Sequence, residues 1–189
     1  MNNISTPTFT GNFIGNAKVL RKVNNEKFVP CELPVVEMNP FDEKDLHALK
    51  NISNVWEGCL FAKSAYLRAL SIFETIPEKI NQRFFILTKQ KNNFENINAE
   101  DILAESRVYI FDKPKVNIRS FEVDPAQNYW SMPEYKNYNN LGTGFLNKLK
   151  EIFKGKLITL DSLSSSKEFY LKNGFKNVSK NSSSMYYRA

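Results

Sequence analysis

Two glycines stand at the start of a predicted helix, within residues 138–145 (YNNLGTGF). The apolar residues of the segment that follows recur at helical spacing and share one side. Glycine lets an anion approach the backbone closely, and the unpaired N–H groups and the dipole of a helix N-terminus both favour negative charge. Gly142 and Gly144 therefore predict a site for a phosphate group. The segment is not a Walker loop, because no Gly-Lys-Ser/Thr follows, and Asn147 replaces the last glycine of the dinucleotide fingerprint.

A second motif lies in residues 165–175 (SSKEFYLKNGF). A capping box from Ser165 to Glu168 predicts a short helix, and Gly174 predicts a left-handed residue that ends it. Phe169 has the position of a core aromatic residue on this helix.

A regular order of strands and helices must position these motifs. Periodicity predicts a strand over residues 31–39, two helices up to Pro77, and three strands over residues 83–89, 103–111 and 116–123. The connections between the three strands are short, which favours an antiparallel meander. A helix (142–153), a strand (157–161), a helix (165–173) and closing strands around 175–178 and 184–188 complete the pattern.

Together these features resemble the GNAT superfamily of acyl-CoA-dependent N-acyltransferases. The family's cofactor motif is Gln/Arg-x-x-Gly-x-Gly/Ala, after a strand that ends in Val-x-Pro. Residues 123–125 (VDP) and 139–144 (NNLGTG) are similar to it, with Asn139 in place of the usual Gln or Arg. The family's second motif, Phe-Tyr-x-x-x-Gly-Phe, resembles residues 169–175 (FYLKNGF).

The resemblance implies an α/β (α+β) fold in one GNAT-like domain, residues 17–189. Its mixed central sheet would have about six to seven strands flanked by helices, splayed at the acyl-CoA site. Residues 1–16 are rich in Asn, Thr and Gly and are expected to form a flexible leader.

The resemblance also implies a co-substrate, acetyl-CoA or another acyl-CoA. Its pyrophosphate would lie on the start of the Gly142 helix, and its pantetheine would run along the preceding strand like an added strand. The cofactor-binding residues implied in this way are Phe121, Val123, Asn139, Asn140, Leu141, Gly142, Thr143, Gly144 and Phe145.

The implied reaction moves an acetyl or other short acyl group to a primary amine by direct attack. Tyr170 occupies the position where the family commonly places the acid that protonates the CoA thiolate; its alternative role is packing. Glu122 is the candidate general base, with Asp124 on the same strand face and Glu105 on the preceding strand as a further candidate. Water can also carry the proton of the amine.

An insertion of thirteen residues, 126–138, separates the Val-x-Pro strand from the glycine motif, where the family usually has only a few. It contains Tyr129 and Trp130, which are candidate substrate-binding residues. The insertion is either a lid or acceptor-binding wall beside the thioester, or a loop whose aromatic residues pack against the domain.

The composition limits the other classes of function. In 189 residues there is one histidine, and the two cysteines, Cys31 and Cys59, form no CxxC pair, so we expect no metal site. No stretch has the roughly 20 apolar residues of a membrane span and no signal peptide is evident, which predicts a cytoplasmic protein.

The net charge of +6 is confined to one part of the chain. Residues 142–189 hold nine basic and three acidic side chains, whereas residues 1–141 hold 17 of each. This distribution favours a compact anion at the C-terminal part. Nucleic acid is not an expected partner, because the basic residues lack interleaved arginine and aromatic residues.

The expected partners are therefore an acyl-CoA and an amine-bearing acceptor, which is a small molecule, a peptide or a protein. The alternative is a GNAT-like protein that binds acyl-CoA, or a macromolecular partner, without turnover.

Overall fold

One continuous sheet runs through the domain. The computed structural model describes residues 11–24, 27–56, 59–75, 81–112, 114–127 and 136–188. Its strands are β1 (Asn12–Lys22), β2 (Phe28–Met38), β3 (Gln82–Thr88), β4 (Ile102–Ile110), β5 (Lys115–Val123), β6 (Tyr138–Asn139), β7 (Leu157–Asp161), β8 (Lys176–Asn177) and β9 (Ser184–Arg188). Their spatial order is β6-β1-β2-β3-β4-β5-β7-β9-β8.

Neighbouring strands are antiparallel with one exception, the pair β5 and β7. The predicted meander of β3, β4 and β5 is confirmed. The helix between β5 and β7 makes the crossover connection that a parallel pair requires.

Within the described ranges, four α-helices cover the two faces of the sheet: α1 (Glu43–Val55), α2 (Leu60–Thr75), α3 (Leu141–Ile152) and α4 (Lys167–Lys172). The side chain of Asp42 caps α1 by accepting hydrogen bonds from the N–H groups of Lys44 and Asp45. The helices α1 and α2 share a hydrophobic cluster with one face of β2 and β3, while α3 and α4 share a cluster with the other face. Both faces of the central strands are thus buried, which explains their nearly continuous apolar sequences.

The sheet has nine strands in the described residues, more than the predicted six to seven. The additional strands are β1, which contributes Ala17 and Val19 to the core, and β6, which has only two residues. β1 begins at Asn12, so residues 12–16 of the predicted leader belong to the sheet. In β1 polar residues alternate with apolar ones, but the strand lies in an Asn-rich segment. The sequence therefore did not predict it as a strand.

The segment around α4 differs in detail from its prediction. Residues Ser164–Ser166 form a 3-10 turn, and the residue that precedes α4 is Ser166, which makes no side-chain capping bond. The predicted capping box from Ser165 to Glu168 is therefore wrong. Gly174 has φ +82°, which confirms the predicted left-handed residue after the helix.

Candidate active site

The two parallel strands separate along their length and form a groove. β5 pairs with β7 from Lys115, opposite Leu157, to Ile118, opposite Leu160. Beyond Ile118, β5 continues to Val123, while β7 ends at Asp161. Residues 120–123 therefore keep their partner β4 on one side, while on the other side they have no strand partner among the described residues. The splayed sheet that the sequence predicted is confirmed.

A bulge in β5 lies where the strands separate. Arg107 of β4 pairs with Ser120, whereas the next residue, Val108, pairs with Ile118. Arg119 is thus the extra residue of the bulge, and bulges bend the strand that contains them. The bend accounts for the departure of residues 119–123 from β7.

A cavity of about 350 Å³ occupies the groove. Its walls come from both strands, from the start of α3, from the segment around α4 and from α2. The lining residues are Phe61, Ile118, Arg119, Ser120, Phe121, Glu122, Val123, Gly142, Leu160, Asp161, Leu163, Ser165, Ser166, Phe169 and Tyr170. Five residues predicted from the sequence, namely Phe121, Glu122, Val123, Gly142 and Tyr170, meet in this cavity.

The start of α3 presents free backbone donors beside the groove. Asn140, the residue before the helix, has φ 58° and makes no side-chain capping bond. The N–H of Gly144 donates to the carbonyl of Asn140 at 2.8 Å, and Phe145 is fully buried in the core. The predicted anion-binding set of residues 141–145 thus narrows to the first three amides of the helix, those of Leu141, Gly142 and Thr143.

The two glycines of the motif have different roles. A Cβ atom on Gly142 would lie 3.2 Å from the ring of Phe169, in the wall of the groove. A Cβ atom on Gly144 would lie 2.2 Å from the carbonyl oxygen of Lys18 in β1. Gly144 is therefore required because α3 packs closely on β1, and its lack of a side chain serves this packing rather than the groove.

Tyr170 lies among aromatic rings at the edge of the cavity. Its ring makes edge contacts with Phe121, Phe169 and Phe175, at centroid distances of 6.4, 5.1 and 5.7 Å. The described residues provide no hydrogen-bond partner for its hydroxyl group. Burial, and then the negative charge of Glu122, raise the pKa of Tyr170 well above its usual range, so the phenol stays protonated at neutral pH.

Two carboxyl groups face each other across β4 and β5. Glu105 pairs directly with Glu122, so their side chains lie on the same face of the sheet. Glu105 is buried, and its Oε1 atom has no hydrogen-bond partner. Burial, and then the charge of Glu122, raise the pKa of Glu105 to about 8, while burial raises the pKa of Glu122. The buried carboxyl group of Glu105 therefore stays largely protonated at neutral pH.

Asp124 has a local structural role. Its carboxylate accepts a hydrogen bond from the N–H of Ala126 at 2.9 Å and so stabilises the turn Pro125–Gln127 that follows β5. Burial raises its pKa. Glu122 lines the cavity and Asp124 does not, so only Glu122 of these two is placed for proton transfer.

The remaining predicted residues lie at the ends of the insertion or within it. The Oδ1 atom of Asn139 accepts a hydrogen bond from the N–H of Asn140 at 2.8 Å, which holds the turn into α3. Gln127 accepts hydrogen bonds from the N–H groups of Asn137 and Tyr138, so the two ends of the insertion are adjacent. Tyr129 and Trp130 lie outside the described residues.

Several groove residues were not identified from the sequence. Phe169 is half-buried and stacks on Phe121 at 6.0 Å, so it lines the cavity rather than only filling the core. Phe61 comes from α2, and no sequence signal connects that helix with the groove. Arg119 could be recognised as a groove residue only from the bulge in β5. Phe169 belongs to the motif of residues 169–175, which also contains Tyr170, and no other sequence pattern pointed to it.

The described residues were also searched for membrane-spanning helices and for metal sites. In the described ranges, no helix is long and apolar enough to cross a membrane. No cluster of three or more His, Cys, Asp or Glu side chains that could hold a metal ion occurs among the described residues.

Solved structures with the same fold come from the family that the motifs resemble. A GNAT-family protein from Desulfovibrio desulfuricans has a TM-score of 0.52 and 11% sequence identity, over 80% of this chain and 94% of that one. Tetrahymena GCN5 has a TM-score of 0.52 and 10% identity, over 82% and 94%. PaiA N-acetyltransferase from Thermoplasma acidophilum, in complex with coenzyme A, has a TM-score of 0.50 and 14% identity, over 82% and 99%.

The chain therefore has a GNAT superfamily fold. No protein-family model matches the sequence, and no curated protein matches it. Since these structural likenesses are between 10% and 14% identical in sequence, they establish the fold, and the reaction must be argued from the site.

Proposed function

We propose that this protein is an N-acyltransferase that moves an acetyl or other short acyl group from acyl-CoA to a primary amine by direct attack. One observation carries the proposal. The groove between β5 and β7 brings a strand edge, the free amides of α3, a protonated phenol and a carboxyl group to one cavity.

The groove fits the parts of an acyl-CoA. The amides of Leu141, Gly142 and Thr143, together with the helix dipole, would hold the pyrophosphate. The pantetheine arm contains amide groups, which can bond to the free edge of residues 119–123 as an added strand would. The stacked rings of Phe121 and Phe169 provide an apolar wall for its aliphatic part.

The attacking amine must lose a proton to become nucleophilic. The carboxylate of Glu122 lines the cavity on the side of α2 and would accept that proton, directly or through water. Glu105, which is opposite and buried, would keep its own proton near neutral pH and position Glu122. In the reaction, the amine nitrogen bonds to the acyl carbon and the bond from that carbon to sulfur breaks.

Tyr170 would return a proton to the departing thiolate. The charge of Glu122 raises the pKa of Tyr170, which keeps the phenol protonated before reaction. Once Glu122 has accepted the proton of the amine, that charge is neutralised and the phenol becomes a stronger acid. The two proton transfers are thus coupled, and the phenolate recovers its proton from Glu122 or from solvent.

The insertion of residues 126–138 would border the acceptor. It leaves β5 shortly after Val123, which lines the groove, and returns at β6, just before α3, whose Gly142 also lines the groove. In this proposal Tyr129 and Trp130 contact the amine substrate, because aromatic side chains gain more by covering a ligand than by contact with water. Shortening the insertion should change acceptor preference while acetyl-CoA still binds.

The decisive experiment measures release of free CoA from acetyl-CoA with a panel of primary amines. Tyr170→Phe should lower turnover by about 100-fold or more while acetyl-CoA still binds, because it removes only the acid. Tyr187→Phe, which removes a phenol hydroxyl outside the groove, is the matched control and should not change turnover. Absence of CoA release with every amine, despite acetyl-CoA binding, would support the non-catalytic alternative.

A further inference from the structure

A second concave surface lies at the other end of β5 and β7 from the groove. A cavity of about 600 Å³ is lined by Lys115, Leu157, Thr159, Gly174, Lys176, Val178, Tyr186, Tyr187 and Arg188. Lys176, Val178 and Arg188 are exposed, and the strand residues between them are half-buried. The lining residues belong to β5, β7, β9 and β8, except Gly174 and Val178, which flank β8.

Strand register aligns these side chains in two rows on one face. The first row is Lys115, Leu157 and Arg188, which pair across β5, β7 and β9. The second row runs from β4 to β8 and consists of Tyr109, Asn117, Thr159, Tyr186 and Lys176. Five neighbouring strands span about 19 Å, which is long enough for several nucleotides of an extended strand. We call this surface, the two rows together with Phe111 and Arg119, the open face.

The charge of the open face is mostly positive. Lys115, Lys176 and Arg188 line the cavity, and no acidic residue lines it. Arg119 extends the positive charge toward the groove. The acidic side chains near its margins are Asp161, whose carboxylate accepts a hydrogen bond from Ser184, and Asp112 in the turn before β5. The exposed cations therefore favour a partner that carries several negative charges.

Aromatic rings lie between these cations. The Nζ atom of Lys115 is 5.1 Å from the ring centroid of Phe111, and the guanidinium of Arg119 is 5.7 Å from that of Tyr109. Tyr186 is half-buried at the middle of the cavity and has no ring partner among the described residues. Bases stack on such rings while lysine and arginine contact phosphates, a combination that an acidic peptide would not use.

We propose that the open face binds a single-stranded nucleic acid, with a base stacked on Tyr186 and phosphates held by Lys176 and Arg188. This proposal departs from the expectation based on the sequence, because cations and rings that are far apart in the chain become neighbours across the strands. It does not depend on the proposed acyl transfer, because the residues assigned to the nucleic acid, Tyr186, Lys176 and Arg188, do not line the groove.

Fluorescence anisotropy with a labelled, unstructured 12-nucleotide RNA tests the proposal, in the presence of excess CoA to occupy the groove. The double variant Lys176→Ala/Arg188→Ala should weaken binding strongly. It should also make the dependence of log affinity on log salt shallower by about 1.4, since each phosphate contact contributes about 0.7. Tyr186→Leu, which keeps an apolar side chain, should weaken binding at least about fivefold through lost stacking. Lys44→Ala/Lys50→Ala, on the exposed side of α1, is the control with the same change of charge and should bind normally.

Four results would overturn the proposal. The first is that the RNA does not bind at about 50 mM salt, where phosphate contacts are strongest. The second is an equal loss of RNA binding in the α1 control, and the third is equal competition by polyglutamate or by a free mononucleotide. The fourth is dimerisation of the wild-type protein that the double variant abolishes, which would assign the open face to a second copy.

Discussion

The two halves of β5 have the same neighbour on one side and different surroundings on the other. Residues 116–118 pair with both β4 and β7, and Val116 in this half is fully buried. Residues 120–123 pair with β4 alone, and Phe121, Glu122 and Val123 line the groove. A single bulge at Arg119 thus divides one strand into a structural half and a half whose free edge can bind a ligand. Substitutions in the first half should change stability, and those in the second should change binding.

The glycines of α3 provide the substitution with the largest expected effect. Gly144→Ala should lower the free energy of unfolding by about 3 kcal/mol, because its Cβ would overlap the backbone of β1. Gly142→Ala should change stability little and weaken acetyl-CoA binding about tenfold, since it displaces Phe169 in the groove. Urea unfolding and calorimetry would measure the two effects. Equal destabilisation by both variants would contradict the distinction between the glycines.

Two valines on β5 test the comparison directly. Val116→Ala removes two buried methyl groups and should lower the free energy of unfolding by roughly 2 kcal/mol. Val123→Ala, in the half-exposed wall of the groove, should lower it much less and weaken acetyl-CoA binding instead. The opposite assignment of the two effects would show that the division of the strand is wrong.

The buried carboxyl pair predicts a smaller effect, which depends on pH. The folded protein holds a proton on Glu105 up to about pH 8, whereas the unfolded chain releases it near the ordinary glutamate pKa. Stability should therefore decrease as pH rises between about 5 and 8, by about 1 kcal/mol from pH 6.5 to 7.5.

Urea unfolding at these two pH values would measure the change. Glu105→Gln should abolish most of the dependence, while Glu32→Gln, at an exposed position on β2, should leave it intact. A dependence that persists in Glu105→Gln would assign the proton to another group.

The sequence predicts what depends on residues close together in the chain. The glycine motif, the helix that contains Tyr170 and the order of strands and helices are of this kind, and the structure has them. The opposition of Glu105 and Glu122 and the bulge at Arg119 depend on strand register, which no local pattern specifies.

The role of Gly144 shows the same limit. Its spacing fits an anion site, but its neighbour is the backbone of Lys18, more than one hundred residues earlier in the chain. Long-range packing therefore decides which glycine of the motif serves the groove.

Binding of acyl-CoA along β5 is tested by amide hydrogen exchange of the wild-type protein, resolved by residue with NMR, with and without acetyl-CoA. We expect acetyl-CoA to slow exchange at the amides of residues 119–123 that face the gap and at those of residues 141–143. Residues 115–118, already bonded on both sides, should not change. Unchanged exchange at residues 119–123, or equal slowing along all of β5, would contradict the claim that the open half of this strand binds the acyl-CoA.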